Sequence, residues 1–266
     1  MLYLVATPIG NLKDISLRAL EVLKEVDEIA CEDTRHSLTL LKHYEINKPL
    51  FSYHKFNERE SGEKLIEKLK QGKNIALITD AGMPVVSDPG NILVNMLKEQ
   101  GLEYTVIPGA CAFVSALVLS GLDASRFCFL GFLPQKATER KEFLEKYKNL
   151  QATLIFYSAP HDVCKDVETL YQVLGDRKAV AVKEITKLHE KVEEFNLKDG
   201  YPFTPKGEYV LIVEKGQEEN PNANLTDKQL IELYISQGTS KKDALKKVAK
   251  ERGIAKSELY KLTISE

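Results

Sequence analysis

Three short segments concentrate Gly, Pro, Asp and Ser directly after apolar runs. They are Thr7-Pro8-Ile9-Gly10-Asn11, the run from Asp80 through Gly82, Met83, Pro84, Val85, Val86, Ser87 and Asp88 to Gly90, and Pro108-Gly109-Ala110-Cys111-Ala112. Small residues let backbone N–H and C=O groups approach a ligand without side-chain obstruction, so these are natural binding loops. The second suits an adenosine or methionine moiety; its plainer reading is a strand-to-helix turn with Asp88 as N-cap. The first speaks against a dinucleotide or P-loop site. Such a site places G-x-G-x-x-G, or a Gly-rich loop with a Walker lysine, after the first strand. Here that position reads A-T-P-I-G-N, and Pro8 has no amide to donate.

Acid–base groups cluster in Cys31-Glu32-Asp33-Thr34-Arg35 and Tyr53-His54-Lys55-Phe56-Asn57-Glu58. Asp33 or Glu58 could accept a proton, His54 could give or take one, and Arg35 could pair a phosphate. Each also has an ordinary reading as an ion pair or helix cap, and Asp33 could simply cap the helix after it. Lys136 and Arg140 could form a cationic rim. Cys31, Cys111, Cys128 and Cys164 form no CxxC pair, and the histidines form no HExxH, so reduced thiols and no metal site are expected.

Elements that would position these groups follow from hydrophobic periodicity. Short apolar runs alternate with helix-period stretches, the signature of a parallel α/β sheet. Strands are expected at 2–6, 28–31, 50–54, 74–79 and 104–107, with an amphipathic helix capped by Ser16 that buries Leu17, Leu20, Leu23 and Val26. A second helix runs from Arg59 to Gly72. A third, 110–120, is apolar all round and therefore expected to be buried on most sides. The second half offers strands at 127–133, 153–158, 179–184 and 208–214, with helices at 139–150 and 162–174. The nearness of its last two strands suggests a mixed or antiparallel sheet. A polar linker, 217–224, leads to helices begun by the Thr226-x-x-Gln229 capping box and by Ser240, with a short third from Ser257. The domain reading is 1–110, 111–217 and a helical tail, 225–266, with a helix-turn-helix look.

At 266 residues the chain exceeds what one average core needs, and 43% apolar residues suffice to build real cores. No apolar run approaches the roughly 20 residues of a membrane span, and the N-terminus shows no secretory signal, so a cytoplasmic protein is expected. Net charge is −2, but the tail departs from it. Lys241, Lys242, Lys246, Lys247, Lys250, Arg252, Lys256 and Lys261 face Asp243, Glu251 and Glu258, a local +5; Glu266 adds −1, so residues 1–240 carry −6. A basic tail on an acidic body is a phosphate-binding patch or a solvated helix face.

The runs LYLVATPIGNLKDIS, ACEDTRHSLTLL, SYHKFNE, ALITDAGMPVVSDPG, VIPGACAFVSALVLSGL and FLGFLPQK resemble the ribosomal RNA small-subunit methyltransferase I family, within the tetrapyrrole-methylase superfamily. The resemblance covers roughly residues 1–215 and extends to the Lys-rich tail. It implies a two-domain tetrapyrrole-methylase-like α/β fold with S-adenosylmethionine in the interdomain cleft, plus a small all-α appendage, in a homodimer. It implies 2′-O-methylation of a cytidine ribose in the decoding region of 16S rRNA, within the 30S subunit. Carried over by position, the cofactor would touch Pro8, Ile9, Gly82, Met83, Pro84, Val85, Val86, Cys111 and Ala112. From the second domain it would meet Phe156, Tyr157, Ser158, Glu184, Gly207 and Glu208. Cys111 would line the cleft and is not read as a nucleophile. The chain departs from the family at YSAPHD, where Ser158 and Asp162 replace the usual Glu and Arg, at Met83 in place of the commoner Thr, and after Lys187, where an Arg-Gly pair is missing. The alternatives are a tetrapyrrole (precorrin-type) or protein-modifying methyltransferase, or a non-catalytic RNA- or ribosome-binding protein with a degenerate cleft.

Overall fold

The computed structural model describes residues 1–202, 204–216, 222, 225–255 and 259. Most of the expected linker and the third tail helix from Ser257 fall outside the described residues. Two compact units divide the chain, Met1–Gly216 and Gln217–Glu266.

The first unit holds two sheets. Strands β1 (Leu2–Val5), β2 (Glu28–Cys31), β3 (Leu50–Ser52), β4 (Ile75–Ile78) and β5 (Tyr104–Ile107) form one, entirely parallel, in the order β3-β2-β4-β1-β5. Alternation along β1 divides its side chains between two cores. Leu2 and Leu4 join Leu65, Leu69, Leu93 and Leu97 of helices α3 (Glu58–Lys70) and α4 (Asn91–Glu99). Val5 faces the other way, with Ala19 and Leu23 of α1 (Leu17–Glu25) and Leu41 of α2 (Thr34–His43). A sheet covered on both faces presents its strand ends, not its faces, to ligands.

Ser16 caps α1, its hydroxyl accepting from the Ala19 amide at 3.1 Å. The buried stripe is the expected one except at Leu17. Leu17 is 79% exposed, and Ala19, Leu23 and Val26 carry the burial. Leu17 points to water, while Ala19 in the same turn packs into the core beside β1.

Strands β6 (Phe127–Phe132), β7 (Thr153–Ser158), β8 (Lys178–Lys183), β9 (Lys191–Asn196) and β10 (Tyr209–Val213) form the second sheet, ordered β6-β7-β10-β8-β9. β6 and β7 run parallel, while β10 inserts antiparallel between β7 and β8, giving the mixed sheet expected. β9 is an addition to the expected strands: its run KVEEFN is mostly polar, because an edge strand buries little and shields its free edge with charge. One face packs on α6 (Ala137–Glu145) and α7 (Val163–Leu174). The other receives Ile9 and helix α5 (Ala112–Ser120). α5 also departs from expectation. Ala116, Leu117 and Ser120 are buried, but Val118 is 73% exposed and Val114 and Leu119 are exposed beside it.

In the second unit, α8 (Asp227–Ser236) starts with the capping box: Thr226 Oγ1 accepts from the Gln229 amide, and Gln229 Oε1 from the Thr226 amide. Ser240 caps α9 (Lys241–Arg252). Leu230 and Ile231 of α8 pack on Ala244, Leu245, Val248 and Ala249 of α9.

Candidate functional site

A cavity of about 370 Å³ opens where the carboxyl ends of β1 and β4 meet α5 and the ends of β6, β7, β8 and β10. One wall is built from the loops after β1 and β4, bound to each other by a two-way backbone bridge. Thr7 N donates to Gly82 O at 2.9 Å and Gly82 N to Thr7 O at 3.1 Å, while Thr7 Oγ1 donates to Thr79 O at 3.2 Å. The bridge consumes backbone groups that a mobile loop would offer to water, so it holds the wall in one shape.

Backbone strain is concentrated around this cavity. Of the five non-glycine residues with positive φ among the described residues, Val85 (77°) and Ser87 (66°) lie in the loop after β4, and Glu184 (49°) and Thr186 (64°) in the loop after β8. For a β-branched residue such as Val85 the left-handed region is costly, on the order of 1–3 kcal/mol, and persists only where the surroundings impose it.

Among the residues singled out from sequence, Ile9, Gly82, Met83, Val86, Cys111, Ala112, Tyr157, Ser158 and Glu208 line the cavity together. Pro8, Pro84 and Val85 belong to the same loops but lie outside the lining, and Val85 packs into the core below. Phe156 is wholly buried on the opposite face of β7, because neighbouring strand residues alternate. Glu184 and Gly207 sit behind the rim. Glu184 Oε1 accepts from the Glu208 amide at 2.8 Å and from Lys187 Nζ at 3.1 Å, and the Glu208 hydrogen bond, with Lys187 beside it, holds the Glu184 carboxyl below its ordinary range. Gly207 (φ 78°) is required there, since a Cβ would stand 2.5 Å from Glu184 Cγ.

The lining also includes residues not singled out from sequence as site residues: Ala81, Ser87, Phe132, Ala159, Pro160, Val182, Ile185, Lys187, Tyr209, Val210 and, above all, Asp88. Ala81, Ser87 and Asp88 are within reach of sequence reasoning, being part of a loop already singled out. The strand residues give no local signal, because a lining residue and a core residue look alike within an apolar run. Asp88 is not a helix cap; Gly90 holds the N-cap position of α4. Burial, followed by the Glu32 carboxylate, pushes the Asp88 carboxyl up to about 6, with Asp80 adding to it. Burial and then Asp80 also raise Glu32. Across the cavity, burial and then Cys111 push the Tyr157 hydroxyl up to about 12. The cavity therefore has one acidic side and one apolar, aromatic side.

The four acid–base candidates lie along the same strand ends. Asp33 caps α2, accepting from the Arg35 amide at 2.8 Å and pairing with the Arg35 guanidinium at 3.3 Å. Its own amide donates to Asp80 Oδ1 at 3.3 Å. The Arg35 hydrogen bonds keep its carboxyl below the ordinary value, and Arg35 itself is exposed. Glu58 Oε2 accepts from the buried Tyr53 hydroxyl and from the Gly90 amide, both at 3.1 Å, tying the turn after β3 to the start of α4. His54 Nδ1 accepts from the Phe56 amide at 3.3 Å. None of the four lines the cavity; of them only His54 is linked to it through Glu32, which is close enough to His54, Asp80 and the lining Asp88 to interact with all three.

Arg140 forms no rim. It is 4% exposed, its guanidinium pairing with Asp166 at 3.1 Å and donating to Pro134 O at 2.8 Å. Lys136, at the start of the same helix, is exposed and pairs with Glu139.

Known proteins resemble the chain at two levels. Residues 1–199 match the family model described as Tetrapyrrole (Corrin/Porphyrin) Methylases. Proteins named ribosomal RNA small subunit methyltransferase I match almost end to end. That of Haemophilus influenzae is 45% identical over 100% of this chain and 96% of its own, and that of Halalkalibacterium halodurans 43% identical over 98% and 93%. Among solved structures, diphthine synthase covers 80% of this chain and 89% of its own, with TM-score 0.63 and 19% identity. The uroporphyrin-III-C-methyltransferase of Thermus thermophilus covers 80% and 94%, with TM-score 0.55 and 21% identity. At such identities the two structures speak for the fold.

Proposed function

We propose a function from one premise: the chain belongs to the ribosomal RNA small subunit methyltransferase I family of tetrapyrrole methylases, and is a methyltransferase. Its cofactor is S-adenosylmethionine, and its substrate is the 2′-oxygen of a cytidine ribose in the decoding region of 16S rRNA, presented within the 30S subunit. The observation that carries this reading is the cavity itself: bare backbone on one side, apolar and aromatic surface on the other, and carboxylates at its edge.

These features fit the cofactor. The volume lies in the range of small-molecule sites, roughly 300–1,000 Å³. The bridged loop at Gly82 and Met83 offers backbone to the nucleoside or amino-acid part, and Ile9, Ala112, Val182 and Val210 offer an apolar bed. The carboxyl groups of Asp88 and Glu32 favour a cation nearby. When bound, the cofactor supplies a methyl group already activated on a sulfonium, so the protein's task is to hold the acceptor oxygen in line and dispose of its proton.

Of the proton acceptors weighed, Asp33 is committed to Arg35 and the α2 cap, and Glu58 to Tyr53 and Gly90. His54 Nδ1 accepts from the Phe56 amide, so the neutral ring carries its proton on Nε2 and serves there as a hydrogen-bond donor, not as the base for the ribose hydroxyl. Arg35 is placed for a phosphate, outside the acidic edge.

The enzyme works in the cytoplasm, where its ribosomal substrate is. Separately, no described helix is long and apolar enough to cross a membrane. It works as a homodimer, and the open apolar face of α5 (Val114, Val118, Leu119) supports that pairing, since a single chain leaves it in water. The test is transfer of labelled methyl from S-adenosylmethionine to 30S subunits, to naked 16S rRNA and to a porphyrinoid. Label in the subunit supports the reading; label only in the porphyrinoid replaces it.

A further inference from the structure

Phe132 owes its place at the cavity to an irregularity in β6. β6 and β7 pair in register from Phe127–Thr153 to Phe129–Ile155, and the next pair is Phe132–Tyr157. β6 thus advances three residues while β7 advances two, the count of a β-bulge. Side chains alternate along a strand, so the extra residue turns Phe132 onto the face shared by Phe129, Ile155 and Tyr157. A regular strand would put Gly131 there and send Phe132 to the other face. Gly131 takes φ 63° to make the bulge, and its missing side chain leaves room for the facing loop, since a Cβ would stand 3.3 Å from Ser87 Oγ.

The outcome is a row of rings ending at the cavity mouth. Phe113 stacks on Phe129 with centroids 4.2 Å apart, Phe129 meets Tyr157 at 4.9 Å, and Tyr157 meets Phe132 at 5.5 Å. Phe132 is the exposed member that lines the cavity, at 58%, whereas Ile9, Val182 and Val210 at the inner side are buried. A large aromatic held at a site mouth by a bulge, with more than half its surface in water, is placed for a flat partner that arrives from solvent.

We infer that Phe132 is the stacking surface for the nucleobase of the nucleotide whose ribose is methylated. The inference rests on the rRNA reading above and adds the residue that positions the acceptor. Sugar methylation requires no recognition of the base at the reacting atoms, so the ribose needs another anchor. Single-stranded RNA offers its base faces, and base–aromatic stacking is tolerant of sequence while fixing the plane of the nucleotide. The buried inner surface suits the cofactor; the ring at the mouth suits the acceptor.

The test uses the full chain with Phe132→Ala, Phe132→Leu and Phe132→Tyr. For each, KM and kcat are measured on 30S subunits lacking the modification, with the dissociation constant for those subunits by filter binding and that for S-adenosylmethionine by calorimetry. The exposed ring is removed without opening the core, and thermal melting checks this. Ala and Leu are expected to weaken subunit binding and raise KM by roughly tenfold, the scale of one stacked base, while cofactor affinity holds and Tyr behaves as wild type. Unchanged subunit binding in the Ala variant of an active enzyme overturns the inference alone. Loss of cofactor affinity with unchanged KM for subunits also overturns it, assigning the ring to the cofactor. A wild-type chain that neither binds nor methylates the subunit removes the rRNA reading and this inference together.

Discussion

Ser158 donates its hydroxyl proton to Asp166 across 2.6 Å, and the other oxygen of that carboxylate pairs with Arg140. All three are buried, and Ser158 lines the cavity. Where the resemblance leads to the expectation of a glutamate at 158, this chain fixes the cavity wall with a hydroxyl backed by an ion pair. Burial raises the Asp166 carboxyl in spite of Ser158 and Arg140, so the pair must hold together to stay charged. Arg140→Ala leaves a buried carboxylate alone and should cost about 3–5 kcal/mol in urea unfolding. Arg140→Met with Asp166→Leu should recover most of that loss. A cost below about 1 kcal/mol for Arg140→Ala would show that water reaches the pair.

Asp88 should make stability depend on pH in the sense opposite to an ion-paired carboxylate. Its folded value, about 6, lies above the roughly 3.9 of an unfolded chain. The neutral form is therefore favoured by folding: the contribution is full below about pH 4 and lost as pH rises through about 6. Asp88→Asn should be more stable than wild type at pH 7, by about 1 kcal/mol after allowance for its partial exposure. The advantage should vanish near pH 4. Melting temperatures of both proteins across that range decide it, and an equal gain at both ends would contradict the assignment.

Gly207→Ala should damage the rim without entering the lining. The new Cβ would overlap Glu184, whose carboxylate holds the Glu208 amide and Lys187. Positive φ adds to the strain, together about 1–3 kcal/mol. Calorimetry should show S-adenosylmethionine affinity falling at least severalfold, and Gly207→Ala binding as wild type would place the cofactor away from this rim.

Removing residues 225–266 should weaken subunit binding and flatten its salt dependence. Every phosphate that the truncated chain no longer neutralises reduces the slope of log affinity against log salt by roughly 0.7–0.9. An unchanged slope would mean that the cations of α9 face water.

Much of this is readable from residue order, for physical reasons that differ by element. Strands β2 and β7 can be placed to the residue because buried strands read as short, mostly apolar runs, and β5, an edge strand, because the turns at Gly101 and Pro108-Gly109 bound it. β9 escapes such a reading because an edge strand needs no apolar run. α5 misleads because composition reports what a helix can bury, not what surrounds it in one chain. At the site, the loops after β1, β4 and β5 announce themselves by Gly and Pro, and they do line the cavity. Phe132 cannot be found that way, since only the bulge decides its face. Arg140 suggests a surface cation because its partner, Asp166, lies on another helix.

Methylation of a ribose oxygen of rRNA is tested most directly by methyl transfer to 30S subunits lacking the modification. Digestion to nucleosides and mass spectrometry then identify the product, and nuclease protection locates the fragment. One product, 2′-O-methylcytidine, is expected from the decoding region. A methyl group on a base, on a protein or on no part of the subunit would contradict the assignment.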